Sequence, residues 1–94
     1  TVGAVGYYET SDIRLKNVIE TNPSIDLSSI NVIKYNLYGS QDIHYGYSAQ
    51  QVQSVCSDLV KSGEYLSLNY TDLHTLKILQ LEQRIAQLEA QLSK

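Results

Sequence analysis

Apolar and polar positions follow one clear period in this chain, and it lies in the last third. Between Thr71 and Lys94, apolar residues recur at Ile78, Leu81, Ile85, Leu88 and Leu92, spaced three and four apart. That is a heptad, with Ile78, Ile85 and Leu92 at a and Leu81 and Leu88 at d. Good helix formers dominate the run and nothing in it breaks a helix. Lys77 and Arg84 fall at g, and Glu82 and Glu89 at the facing e positions. Identical chains therefore attract one another in parallel and in register. Each exposed pair is worth only ~0.2–1 kcal/mol, so the charges select register while the apolar seam supplies stability. Leu73, Leu76 and Leu79 widen the start of the stripe, which predicts first turns packed on a domain and last turns projecting from it. The competing reading is a single amphipathic helix lying on its own domain.

The remainder reads as short elements. Thr1–Thr10 resembles a tail entering from an upstream region, with Val2, Val5, Tyr7 and Tyr8 able to form a strand. Ser11 and Asp12 suit a turn or helix N-cap, before an apolar face of Ile13, Leu15, Val18 and Ile19. That segment ends before Asn22-Pro23, and Ser24–Ser29 reads as a turn carrying Ile25 and Leu27. Ile30–Tyr38 alternates as a strand, and Gly39-Ser40 turns it into a second strand at Ile43–Tyr47. Ser48 caps a helix predicted to run to Lys61, with Gln51 completing a capping box. Its stripe is Val52, Val55, Cys56, Leu59 and Val60. Ser62-Gly63 stops it, Tyr65–Tyr70 is a short strand, and Thr71 or Asp72 caps the terminal helix. The predicted fold is α+β: a small antiparallel sheet, a packed helix and a long C-terminal coiled-coil helix. Residues 11–70 form the globular part and 71–94 the coiled-coil helix.

Composition narrows the function classes. Ninety-four residues make one small domain with a modest core. A net charge of −3 and no basic stripe argue against nucleic acid as a partner. The single cysteine, Cys56, cannot form an intrachain disulfide and reads as a buried small hydrophobe. No apolar run spans a membrane and no signal peptide is seen. His44 and His74 have no partner at zinc spacing, so no metal or cofactor is expected, and His74 falls at a d position. The carboxylates are scattered, and no phosphate loop appears.

One polar cluster carries candidate chemistry: Ser11-Asp12-Ile13-Arg14-Leu15-Lys16. A lysine can act as general base for a serine if burial lowers its pKa. Five positions amount to ~500° of helix rotation, so the pair shares no helical face and the backbone must turn between them. The bland reading is a capping serine and a surface lysine.

The cluster resembles the opening of the C-terminal intramolecular chaperone domain of phage tail fibres, tail spikes and endosialidases, a family of self-cleaving serine peptidases. Ser11, Asp12, Arg14, Lys16 and Ile19 match its first block. Gly46-Tyr47-Ser48-Ala49-Gln50-Gln51-Val52 matches a second, with Gln51 where glutamate is usual. Leu66–Tyr70 and the terminal helix follow in the family's order. The resemblance implies a homotrimer that brings the upstream fibre or spike segment of the same chain into register, then cuts itself away between Thr10 and Ser11. Ser11 would be nucleophile and Lys16 base, with Asp12 and Arg14 shaping the turn and stabilising charge. Ile78, Leu81, Ile85, Leu88 and Leu92 would line the trimer interface. Assembly would take place in the infected host cytoplasm, leaving the mature fibre on the virion tail and the chaperone released. By itself the heptad, isoleucine at a with leucine at d, favours two strands; the resemblance implies three. The other expectations are a trimerisation module that does not cleave, with Gln51 as one cause of silence, and a coiled-coil adaptor for a different partner helix.

Overall fold

The computed structural model describes residues 7–93. Val2 and Val5 lie outside them; Tyr7 and Tyr8 are exposed and in no strand. The architecture is α+β, with two small antiparallel sheets and a long C-terminal helix. The first sheet pairs β1 (Ile33–Tyr35) with β2 (His44–Gly46), Lys34 opposite Tyr45. The hairpin was expected, and its strands are shorter than the alternation suggested. Its turn needs Gly39, whose φ of +87° lies where a side chain is strained.

Helix α1 spans Ala49–Val55 and stops well short of Lys61. Ser57–Leu59 forms a 3-10 turn, and Val60–Lys61 becomes β3, antiparallel to β4 (Ser67–Leu68). The predicted stripe contains the right residues in the wrong element. Val52 and Leu59 are buried, Leu59 from the 3-10 turn, while Val60 is half-buried and packs against the core from a strand. Cys56, predicted buried, is only partly so and packs against the core edge. Only half the capping box forms. Ser48 Oγ accepts from Gln51 N, but the Gln51 side chain turns away, accepting from Asn31 N at 2.9 Å and donating to Ser29 O at 2.9 Å.

Helix α2 (Tyr70–Leu92) is capped by Asn69, not by Thr71 or Asp72. Asn69 Oδ1 accepts from Asp72 N at 3.0 Å, and Asn69 Nδ2 donates to the Asp72 carboxylate at 2.8 Å. Asn69 prevails because it satisfies an orphan amide and engages the acidic residue that suits a helix N-terminus. The first turns pack on the body as the widened stripe predicted: Leu73 is fully buried and Leu76 lies against the core. Further along, Gln80 Oε1 accepts from Leu27 N at 3.0 Å.

The buried core is small: Leu27, Ile30, Val52, Leu59 and Leu73. The radius of gyration is 17.3 Å, against about 12 Å for a compact chain of this length. Accessible surface is 8403 Å², against about 5,500 Å² for a compact monomer of this mass. Tyr7–Asn22 and the second half of α2 are both largely exposed.

Among the described residues, Gly46 is the one buried glycine, and a side chain there has no room. A Cβ there would run into the Tyr70 hydroxyl and lie 3.5 Å from Tyr35 Cε1. That hydroxyl accepts from Tyr47 N at 3.1 Å, tying the start of α2 to the end of β2. Gly46→Ala is expected to dislodge Tyr70 and cost ~1–3 kcal/mol of stability, read as a lower urea midpoint. An unchanged midpoint would show that the tether contributes nothing.

Candidate active site

Ser11 and Lys16 meet because the chain makes one tight turn between them. Asp12 takes extended geometry, and its carboxylate accepts from Arg14 N at 2.9 Å. Ile13–Leu15 then forms a single 3-10 turn, with Leu15 N donating to Asp12 O and Lys16 N to Ile13 O. Lys16 leaves in extended geometry. A 3-10 turn advances one full rotation in about three residues, which brings the two flanks to one side. Lys16 Nζ lies 2.7 Å from Ser11 Oγ, donating to it.

That distance lies within the ~2.6–3.2 Å required of a nucleophile and its base. For base chemistry the direction of donation must reverse: a neutral amine accepts the serine proton. Ser11 and Lys16 are both exposed, so within one chain nothing strips water from the ammonium.

Asp12 and Arg14 are brought together as well, but with each other. Arg14 Nη2 donates to Asp12 Oδ2 at 2.6 Å, and Nε lies 3.1 Å from both carboxylate oxygens. The guanidinium, then the Arg14 backbone amide, hold the Asp12 carboxyl below its ordinary range. The carboxylate in turn raises Arg14. Asp12 therefore shapes the turn, and the Arg14 charge is engaged by Asp12. Thr10 precedes Ser11 in exposed, irregular backbone.

The heptad residues stay largely exposed within the single chain. Ile78, Leu81, Ile85, Leu88 and Leu92 are 53–86% exposed along one face of α2. Beside them, Lys77 Nζ sits 5.1 Å from the centre of the Tyr47 ring. Tyr47 and Tyr70 each meet His74 edge-on, at 6.1 and 5.8 Å. His74 is thus an exposed aromatic contact at the head of the seam. This cluster was missed from sequence; Tyr70, His74 and Lys77 at helical spacing were its signal. Asp26 is a second anchor: it accepts from Ser28 Oγ, Ser28 N and Gln80 Nε2, and these bonds, helped by the Arg84 charge, lower its carboxyl pKa. Among the described residues, no group of three His, Cys, Asp or Glu side chains could hold a metal, and no helix is long and apolar enough to cross a membrane.

The profile of a family described as chaperone of endosialidase matches residues 11–61, from the nucleophile candidate to the end of β3. The chain belongs to that family. Comparison with curated proteins and with solved structures finds no match. As a chaperone of endosialidase the chain is a chaperone domain, and the match opens at Ser11. It leaves β4 and α2 outside.

Gln51 hydrogen-bonds to Ser29 and Asn31 and to neither Ser11 nor Lys16. Gln51→Glu keeps an acceptor for Asn31 N but sets a carboxylate against the Ser29 carbonyl. A loss of ~1 kcal/mol at neutral pH is expected. Only a protonated carboxyl can donate to Ser29, so folding raises this carboxyl's pKa. The loss is full above that raised value and recovers as pH falls through it. Denaturation of the variant at two pH values checks both magnitude and sign.

Proposed function

We propose that the chain is the intramolecular chaperone at the C-terminus of a phage tail fibre or spike. Three copies associate in parallel through the a and d positions of α2 and hold the upstream segments in step. The domain then releases itself by hydrolysis between Thr10 and Ser11. The observation that carries the cleavage is the 2.7 Å approach of Lys16 Nζ to Ser11 Oγ.

The chemistry balances without a cofactor. Neutral Lys16 takes the Ser11 hydroxyl proton as Oγ bonds to the Thr10 carbonyl carbon. The Thr10–Ser11 C–N bond breaks, and the leaving nitrogen becomes the Ser11 amine with the proton that Lys16 returns. Water then hydrolyses the ester, giving a Thr10 carboxylate and restoring the Ser11 hydroxyl. The exposure of both residues in one chain supports an order of events: neighbouring copies supply the dry surroundings that a lysine base needs, so assembly precedes the cut.

Association itself is supported by surface. One chain leaves about 3,000 Å² more exposed than a compact monomer would, above the ~800 Å² that each partner buries in a stable interface. A fibre is a long, non-local fold that is slow to find register unaided. A trimerising domain raises the local concentration of its strands, and its loss afterwards leaves the product kinetically trapped. The setting is the host cell during virion assembly, with the fibre kept on the particle.

Mass spectrometry and sedimentation of the chain expressed behind its fibre segment test this. Expected are trimers, and two fragments joining at Thr10 and Ser11, with Ser11→Ala left whole. Trimers that never cut establish a non-cleaving module. Single chains across the micromolar range, an adaptor's behaviour, would sink the proposal.

A further inference from the structure

The two flanks of α2 differ, and a parallel assembly must bring them together. On the g flank, Tyr70 lines an open groove of about 640 Å³, and Lys77 lies over the ring of Tyr47, another of its lining residues. Its walls are the hairpin, through Tyr35, Leu37 and Tyr38, and the Leu66–Leu68 segment. Leu37 is 63% exposed and Tyr38 fully so. On the opposite side of the seam, the strap Asn17–Glu20 lies over a cleft shared with Asp72, Thr75 and Leu76. Thr75 is an e position. Along the strap, Ile19 is 93% and Val18 58% exposed, apolar surface that its own body leaves uncovered.

In a parallel coiled coil, g of one helix faces e of the next. The groove of one copy is then turned toward the strap of its neighbour. Charge agrees: the g flank carries Lys77, while the strap side carries Glu20 and Asp72. We infer that the groove between the hairpin and Tyr70 receives the Val18–Ile19 strap of the next copy. The contact is head-to-tail, so three identical contacts close around a three-fold axis and leave no groove empty. Because the strap starts directly after Lys16, docking carries the Ser11–Lys16 pair to the boundary between copies.

This rests on the trimer proposed above, and the test separates the two. In a Cys56→Ala background, Ile19→Cys chains are co-refolded with Leu37→Cys chains, and Val18→Cys chains with Tyr38→Cys chains. Mixed chains are expected to form disulfide-linked dimers at least tenfold faster than either variant alone. The double variant is expected to give a ladder ending at three chains. Ile19→Asp, which needs no new bond, is expected to weaken assembly at least tenfold by sedimentation. Trimers without cross-chain disulfides from either pairing, and unweakened by Ile19→Asp, overturn the docking and leave the trimer standing. Single chains by sedimentation in the Cys56→Ala background remove both.

Discussion

Leu73→Ala is expected to cost about 3–5 kcal/mol of folding free energy. Leu73 is fully buried, one of five core residues among those described, and the only one on α2. A domain of this size is worth about 5–14 kcal/mol in total, so the variant should be poorly folded at physiological temperature. Leu81→Ala removes the same atoms from a side chain that is 62% exposed in one chain. Its cost to the isolated chain should stay within about 1 kcal/mol, with the damage appearing in assembly instead. Urea titration of both variants at low protein concentration makes the comparison. Equal losses would mean that α2 does not dock through Leu73.

Lys16→Met should lower the rate of self-cleavage by about 10²–10⁴-fold. Methionine keeps much of the stem and cannot take a proton. Lys16→Arg should fail equally, because a guanidinium does not give up its proton at any working pH. The pairing is what matters: if Lys16→Arg cuts at the native rate, Lys16 acts by charge or by holding Ser11 in place, and the base assignment is wrong. Time courses by intact mass, with sedimentation confirming that each variant still assembles, separate lost chemistry from lost structure.

Much of this was legible in the sequence because the relevant signals are local or strictly periodic. The exposed apolar face of α2 and the docking of Leu73 and Leu76 followed from spacing alone. Gly39-Ser40 announced the hairpin. The early end of α1 did not show, because Val52, Val55, Cys56, Leu59 and Val60 satisfy a helical period whatever element carries them. What ends the helix is tertiary: Val60 finds Leu68 across a two-residue ladder. The preference of Ser57 and Asp58 for helix starts and turns was the available hint. Leu27 read as a turn residue, yet it lies at the centre of the core, anchored by an amide more than fifty positions away. The closeness of Ser11 and Lys16 needed a backbone turn, and the sequence held its cause in Asp12, a side chain able to cap the turn and hold the arginine inside it.

Tyr70 and Gln80 both fasten α2 to the body, ten residues and about 15 Å apart along the rod. Two fixing points at that separation set both the rod's bearing and its roll about its own axis. The direction in which the leucine stripe looks is therefore dictated by the body before any second chain arrives. The remaining turns can vary in sequence to suit a partner without changing where they aim.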